Sequence, residues 1–178
     1  MNRDLLRDAL LGHSPGDLQE REDTERMLRL VDELGDPTSR DEPRAHFTAS
    51  ALVIDAAGRR TCLVDHVKLG RRLQPGGHFE PDDETPAHAA LREAREETGL
   101  EVRLHPHAPR PLDVDVHEIP ERPDEPAHLH LDLRYLLVAE GGEPAEGAAW
   151  VRLEEAHAAT DEPAFRRLLV KADRLLHR

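Results

Sequence analysis

Leucines and alanines at three- and four-residue intervals open the chain. Leu5, Leu6, Ala9 and Leu10 predict a helix over residues 3–11, closed by Gly12 in the left-handed conformation of a helix C-cap. Ser14 and Pro15 then supply a capping hydroxyl and a residue suited to the first helical position. Met27, Leu28, Val31 and Leu34 keep the helical period up to Gly35. The stretch GDPTSRDEPRA that follows carries prolines, glycine and charge without any period, as a connecting segment does. The chain thus divides into a helical arm (1–39), a linker (40–45) and one domain (46–178).

Within that domain the period changes to two. Phe47 to Ile54 and Thr61 to Val67 are short β-type runs on either side of the turn sequence DAAGRR, which predicts a hairpin. After the glycine pair of LQPGG, Thr85 and Pro86 mark a helix start and Gly99 its end. Ala87, Ala90, Leu91, Ala94 and Thr98 fall on the face of that helix that would pack on a sheet. Further strands are expected at 102–104, 111–119, 128–139 and 148–152. A last helix over 163–176 places Phe165, Leu168, Leu169, Ala172, Leu175 and Leu176 on one stripe.

Composition narrows the functional classes. At 178 residues the chain suits one ordinary core with a small appendage, and its formal charge of -13 disfavours nucleic acid or an anionic membrane as partner. A phosphorylated small molecule would need a cation as intermediary. With no apolar stretch near the length of a membrane span, a cytoplasmic location is expected. Cys62 is the only cysteine and lies in the apolar run TCLVDHV, so it reads as a packed, inert thiol.

The central helix holds the strongest chemical signal. Glu93, Glu96 and Glu97, at three- and four-residue steps, gather their carboxylates on one surface, two of them at the helix end whose dipole disfavours anions. Such a cluster destabilises a bare helix and is relieved by a hard divalent cation. Mg2+ or Mn2+ held there can bridge to phosphate oxygens, offset their charge and ease deprotonation of an attacking water. Arg92 reaches Glu96 on the next turn and is suited to orienting a carboxylate. Gly76 and Gly77, without side chains, allow main-chain groups to approach metal or phosphate.

Residues 76–100, GGHFEPDDETPAHAALREAREETGL, resemble the Nudix box. Its pattern is a glycine, five residues, a glutamate, seven residues, then Arg-Glu-apolar-x-Glu-Glu-x-Gly-apolar. Gly77, Glu84, Arg92, Glu93, Ala94, Glu96, Glu97, Gly99 and Leu100 take those places, with one extra residue between Gly77 and Glu84 in the loop around Pro81 and Asp82. Asp83 stands where the five-residue spacing would put the glutamate. The resemblance covers roughly residues 46–176. It implies an α+β fold, an α/β/α sandwich around a mixed sheet. It also implies hydrolysis of a nucleoside diphosphate linked to another group, with Glu93, Glu96, Glu97 and Gly77 as metal ligands and Arg92 beside them.

A second polar constellation lies downstream. Along HLHLDLRY, His128, His130, Asp132 and Arg134 share one face, and along PLDVDVHEI so do Asp113, Asp115 and His117. Three readings stay open for a surface built by these two strands: a wall facing the glutamate helix across a cleft and contacting substrate, an ordinary solvent-facing side of the sheet, or a separate transition-metal site of imidazoles. On the first reading Gly76, Gly77, His78, His128, His130, Asp132 and Arg134 form the substrate contacts.

The function expected is metal-dependent pyrophosphohydrolysis of a small-molecule diphosphate. The alternative is a nucleotide-sensing module that keeps the fold without cleaving. The roles open to the arm are covering the core, shaping the pocket and pairing two chains in a homodimer.

Overall fold

Every residue of β1 (Ala45–Ile54) is buried, although its side chains alternate between two faces. Only a central strand covered on both sides meets that condition. In the computed structural model, which describes residues 2–66, 70–123 and 126–177, β1 pairs in parallel with β7 (His128–Ala139) over ten positions, from Ala45 with Leu129 to Ile54 with Val138. The other edge of β1 is shared by two antiparallel partners. β2 (Arg60–His66) takes its end at Val53 and Ile54, and β4 (Gly76–His78) its middle at Thr48 to Ser50. β3 (Arg71–Leu73) and β8 (Ala148–Arg152) extend the sheet through β2, while β5 (Val102–Leu104) and β6 (Asp113–Ile119) share the free edge of β7. The result is an eight-stranded mixed sheet.

Alternation along β1 sends Phe47, Ala49, Ala51 and Val53 into one core with α1 (Arg3–Leu11), α2 (Leu18–Glu33) and α3 (Pro86–Thr98). Leu52 and Ile54 enter a second core on the opposite face with α4 (Leu153–Ala159) and α5 (Pro163–Leu176). Leu6, Leu10, Met27 and Val31 of the arm belong to the same apolar cluster as Phe47 and Leu131, so the arm covers the core. No helix among the described residues is long and apolar enough to cross a membrane.

Most expected elements are present, with three differences at the N-terminal end. Gly12 closes α1 at φ -86°, a right-handed conformation, and its missing Cβ makes room for the Arg110 guanidinium, a nitrogen of which would stand 1.8 Å from a Cβ there. Asp17, not Ser14, caps α2, because its carboxylate accepts the Glu20 N–H at 2.8 Å. β1 begins at Ala45, the last residue assigned to the linker. Val67, expected to end the second strand, lies outside the described residues.

Candidate active site

Thr85 caps α3 through its hydroxyl, Pro86 fills the first turn, and Gly99 ends the helix at φ +68°. Ala89, Ala90 and Ala94 are buried against the sheet, and their small size lets the helix lie close to β1 and β4. This seating brings α3 against the glycine pair. A Cβ on Gly77 would meet the Glu93 carboxylate at 2.6 to 2.8 Å, and one on Gly76 would stand 2.4 Å from Ser50 Cβ. The Gly76 N–H donates to Glu97 Oε2 at 2.9 Å. Loop and helix therefore meet at Glu93 and Glu97, as their separate signals in the sequence suggest.

Arg92 organises the cluster from one side. Its guanidinium forks onto Asp83, with Nε to Oδ1 at 3.2 Å and Nη2 to Oδ2 at 2.9 Å. It also donates to Glu93 Oε1 at 2.8 Å, Glu96 Oε2 at 3.1 Å and the His78 carbonyl at 2.8 Å. One cation thus offsets three carboxylates and fixes the strand after the glycines. Burial raises the Glu93 carboxyl above the usual carboxylate range, against the opposing Arg92 contacts, and Glu96 adds to the rise. Glu97 is raised too. Burial of its inner side is the first cause, the Gly76 N–H works against it, and the Glu93 charge reinforces it.

The histidine-rich face lies elsewhere. His46, Thr48 and Ser50 of β1 pair with His130, Asp132 and Arg134 of β7, and alternate with the residues that touch α3. The sheet itself separates these side chains from the glutamate helix, so the expected cleft wall is not formed, and the carboxylates and arginine of this face do not meet solvent. Asp132 and Arg134 are buried. Asp132 accepts from Thr48, Ser50 and Arg134, and Arg134 also binds Asp115 at 3.0 Å. Burial opposes the charge on Arg134, but the Asp115, Asp132 and Asp113 carboxylates outweigh it and hold its pKa above the ordinary arginine value. Arg167 of α5 closes the network on Asp113, with contacts of 2.7 and 3.0 Å.

At the end of the same face His46, His78, His128 and His130 collect, their rings 4.8 to 5.2 Å apart. Burial, then the neighbouring imidazoles, push His130 down to about 2, so it is neutral at physiological pH. Cys62 is buried in β2 opposite Trp150, and burial pushes its thiol up to about 11, which suits a packed residue and not a nucleophile.

A family model described as the NUDIX domain matches residues 44–172. The chain belongs to that family. A relative in Lactococcus lactis subsp. cremoris (strain MG1363), named as a probable DHNTP pyrophosphohydrolase, is 30% identical over 125 residues, which are 67% of this chain and 72% of that protein. Among solved structures, a NUDIX-family hydrolase from Clostridium perfringens superposes with a TM-score of 0.54 at 26% identity, covering 73% of this chain and 97% of its own. An Ap4A hydrolase of C. elegans shares the fold at a TM-score of 0.51 and 20% identity, with the same coverages. The chain is accordingly a Nudix hydrolase, and its arm precedes the matched region.

The loop insertion in the Nudix box now has a physical reading. Asp83, at the five-residue position, is 4% exposed, binds Arg92 and accepts the Glu80 N–H at 2.8 Å, whereas Glu84 is exposed. Asp83→Ala should cost about 1–3 kcal/mol, because it strands buried donors. Glu84→Ala should stay within about 0.5 kcal/mol of wild type. Urea unfolding of the two variants checks the contrast. Gly77→Ala should leave stability nearly unchanged while displacing the flexible Glu93 carboxylate. We expect a fall in kcat of about 10²-fold, the size associated with ångström-scale misplacement, measured by steady-state kinetics beside thermal unfolding.

Sequence reasoning missed His46 as a member of the histidine cluster, and Thr48, Ser50 and Arg167 as members of the ionic network. For His46 the only signal is its place at the head of the polar alternation His46, Thr48, Ser50 along β1.

Proposed function

We propose that this Nudix hydrolase is a Mg2+- or Mn2+-dependent pyrophosphohydrolase that cleaves a nucleoside diphosphate, or a nucleotide-like diphosphate, linked to another group. The observation that carries the reading is the meeting of Glu93 and Glu97 with the side-chain-free Gly76 and Gly77. The donor set fits a hard cation: carboxylate oxygens of Glu93, Glu96 and Glu97, with a glycine backbone whose missing Cβ leaves space against Glu93. When bound there, such an ion would neutralise phosphate charge and polarise the scissile linkage.

The chain's own groups account for the remaining requirements. Arg92 holds Glu93 and Glu96 in place and ties them to Asp83. Glu93 and Glu97 stand at the glycine backbone, where a carboxylate oxygen not engaged by the ion is placed to accept a proton from water as it attacks phosphorus. The pyrophosphohydrolase name of the Lactococcus relative supports the same bond type. Of the residues expected to touch substrate, Gly76 and Gly77 keep that role, since β4 carries them to α3, whereas the His78 ring turns to His46 on the opposite face and leaves only its carbonyl toward Arg92. Completeness of the glutamate triad favours turnover over a sensing module.

Mass spectrometry of products from a panel of nucleotide diphosphates, run in H2-18O with Mg2+, tests the reading. One 18O is expected in a phosphate or monophosphate product. Binding without product across the panel would favour the sensor, and label in the non-phosphate fragment would exclude attack at phosphorus.

A further inference from the structure

The polar positions on the α5 side of the sheet divide into two chemistries. Toward the middle of β7 lie Asp132 and Arg134 in the ionic network, and toward its start lies a cluster of imidazoles with no carboxylate from α3 among them. We propose that His46, His78 and His130 form a binding site for a transition-metal ion of the Zn2+ class, separate from the glutamate site of α3. The inference does not depend on the pyrophosphohydrolase reading.

The three residues come from three strands. His46 lies on β1, His130 is its direct partner on parallel β7, and His78 ends β4, which pairs with the other edge of β1. Each offers one ring nitrogen, and these atoms all fall within 4.8 Å of one another. Nε2 of His46 and Nε2 of His78 stand 3.1 Å apart. Nitrogens bound tetrahedrally to zinc at about 2.0–2.1 Å are roughly 3.3–3.4 Å from each other. One pair is therefore already near ligand spacing, and the third nitrogen reaches it by a small ring movement.

Donor chemistry selects the ion. Neutral imidazole suits Zn2+, Cu2+ and Ni2+, while Mg2+ prefers oxygen and is better served by α3. A further imidazole borders the cluster without belonging to the ligand set. His117, whose ring is 5.5 Å from that of His130, is itself held by Asp115 at 2.8 Å. His46 is buried, but His78 and His130 are only half-buried, which leaves room for a fourth ligand from solvent. Three protein imidazoles with one open position is a familiar zinc arrangement.

Such an ion would join β1, β4 and β7 at a single point. β4 also carries Gly76 and Gly77 to Glu97 and Glu93, and the His78 carbonyl is bound by Arg92. Occupancy would thus stiffen the strand that places the glycine backbone at the diphosphate site. Its expected sign is a higher unfolding temperature with Zn2+.

The test uses tag-free, chelator-stripped full-length protein in millimolar Mg2+, which occupies the carboxylates, titrated with ZnCl2 by calorimetry. One equivalent should bind to wild type, to Glu97→Gln and to the exposed-histidine control His107→Ala. Binding should weaken by at least about tenfold in His130→Ala and in His78→Asn, the latter chosen because a half-buried ring tolerates replacement without unfolding. Circular dichroism confirms that each variant is folded. Co2+ in place of Zn2+ should give the visible absorption of a four-coordinate ion in wild type and lose it in both histidine variants. The proposal is overturned if wild type shows no saturable Zn2+ binding in Mg2+, or if folded His130→Ala and His78→Asn bind as tightly as wild type.

Discussion

Arg134→Ala should destabilise the protein by about 3–5 kcal/mol, the usual cost of removing one partner from a buried ionic group. Arg134 is 2% exposed and lies among Asp113, Asp115 and Asp132. Removing it leaves those carboxylates buried, with Arg167 and the more distant Lys171 on Asp113, His117 on Asp115, and no arginine on Asp132 among the described residues. Lysine should not rescue, since a single ammonium replaces a planar fork that now reaches Asp115 and Asp132 together. The defect should also depend on pH. Despite burial, His117 and Arg134 hold the Asp115 carboxyl below its ordinary value, so the wild-type contribution is present above the unfolded carboxylate pKa and fades as pH falls through the lower folded one. The difference between wild type and Arg134→Ala should thus be largest near neutrality and shrink below about pH 4. Urea midpoints measured across that range provide the check.

Glu97→Gln should lower kcat by about 10²–10⁴-fold, the range expected when a group that moves a proton or shapes the transition state is lost. The substitution keeps shape and can still accept the Gly76 N–H, so the loop should stay in place. What it removes is the charge at a carboxylate that is already held above its normal pKa beside Glu93. Stability should hold or rise slightly, because one member of a like-charged helical cluster is neutralised. A loss of rate with an unchanged melting temperature is the signature that separates this role from a structural one.

The sequence announces features whose cause is local. Thr85, Pro86 and Gly99 delimit α3 to the residue, and the alternation of HLHLDLRY marks the start and first two thirds of β7, because capping and strand period act over a few neighbours. α4 is missed because LEEAHAA is a single short element with one buried residue, Ala156, too little to set a period. β3 and β4, at three residues each, exist through pairing with β2 and β1 and have no strand signature of their own.

The site divides along the same line. Arg92, Glu93, Glu96 and Glu97 are legible because helical spacing alone brings them together. The polar face of β6 and β7 is not, since alternating charge reads alike whether it meets solvent or a counter-charge. Here the answer comes from Arg167, which is distant in sequence and arrives with α5. His46 joins His130 only through the parallel pairing of β1 with β7, a register that neither strand specifies by itself.

Metal-dependent diphosphate hydrolysis driven by the α3 glutamates, as proposed, is tested most directly by one comparison. Product release from the best substrate of the panel should be followed for wild type with Mg2+, wild type in EDTA, and Glu97→Gln with Mg2+, all shown to be folded. Full turnover is expected in the first sample, none in the second until Mg2+ or Mn2+ is added, and a rate about 10²–10⁴-fold lower in the third. Equal rates in all three would contradict it.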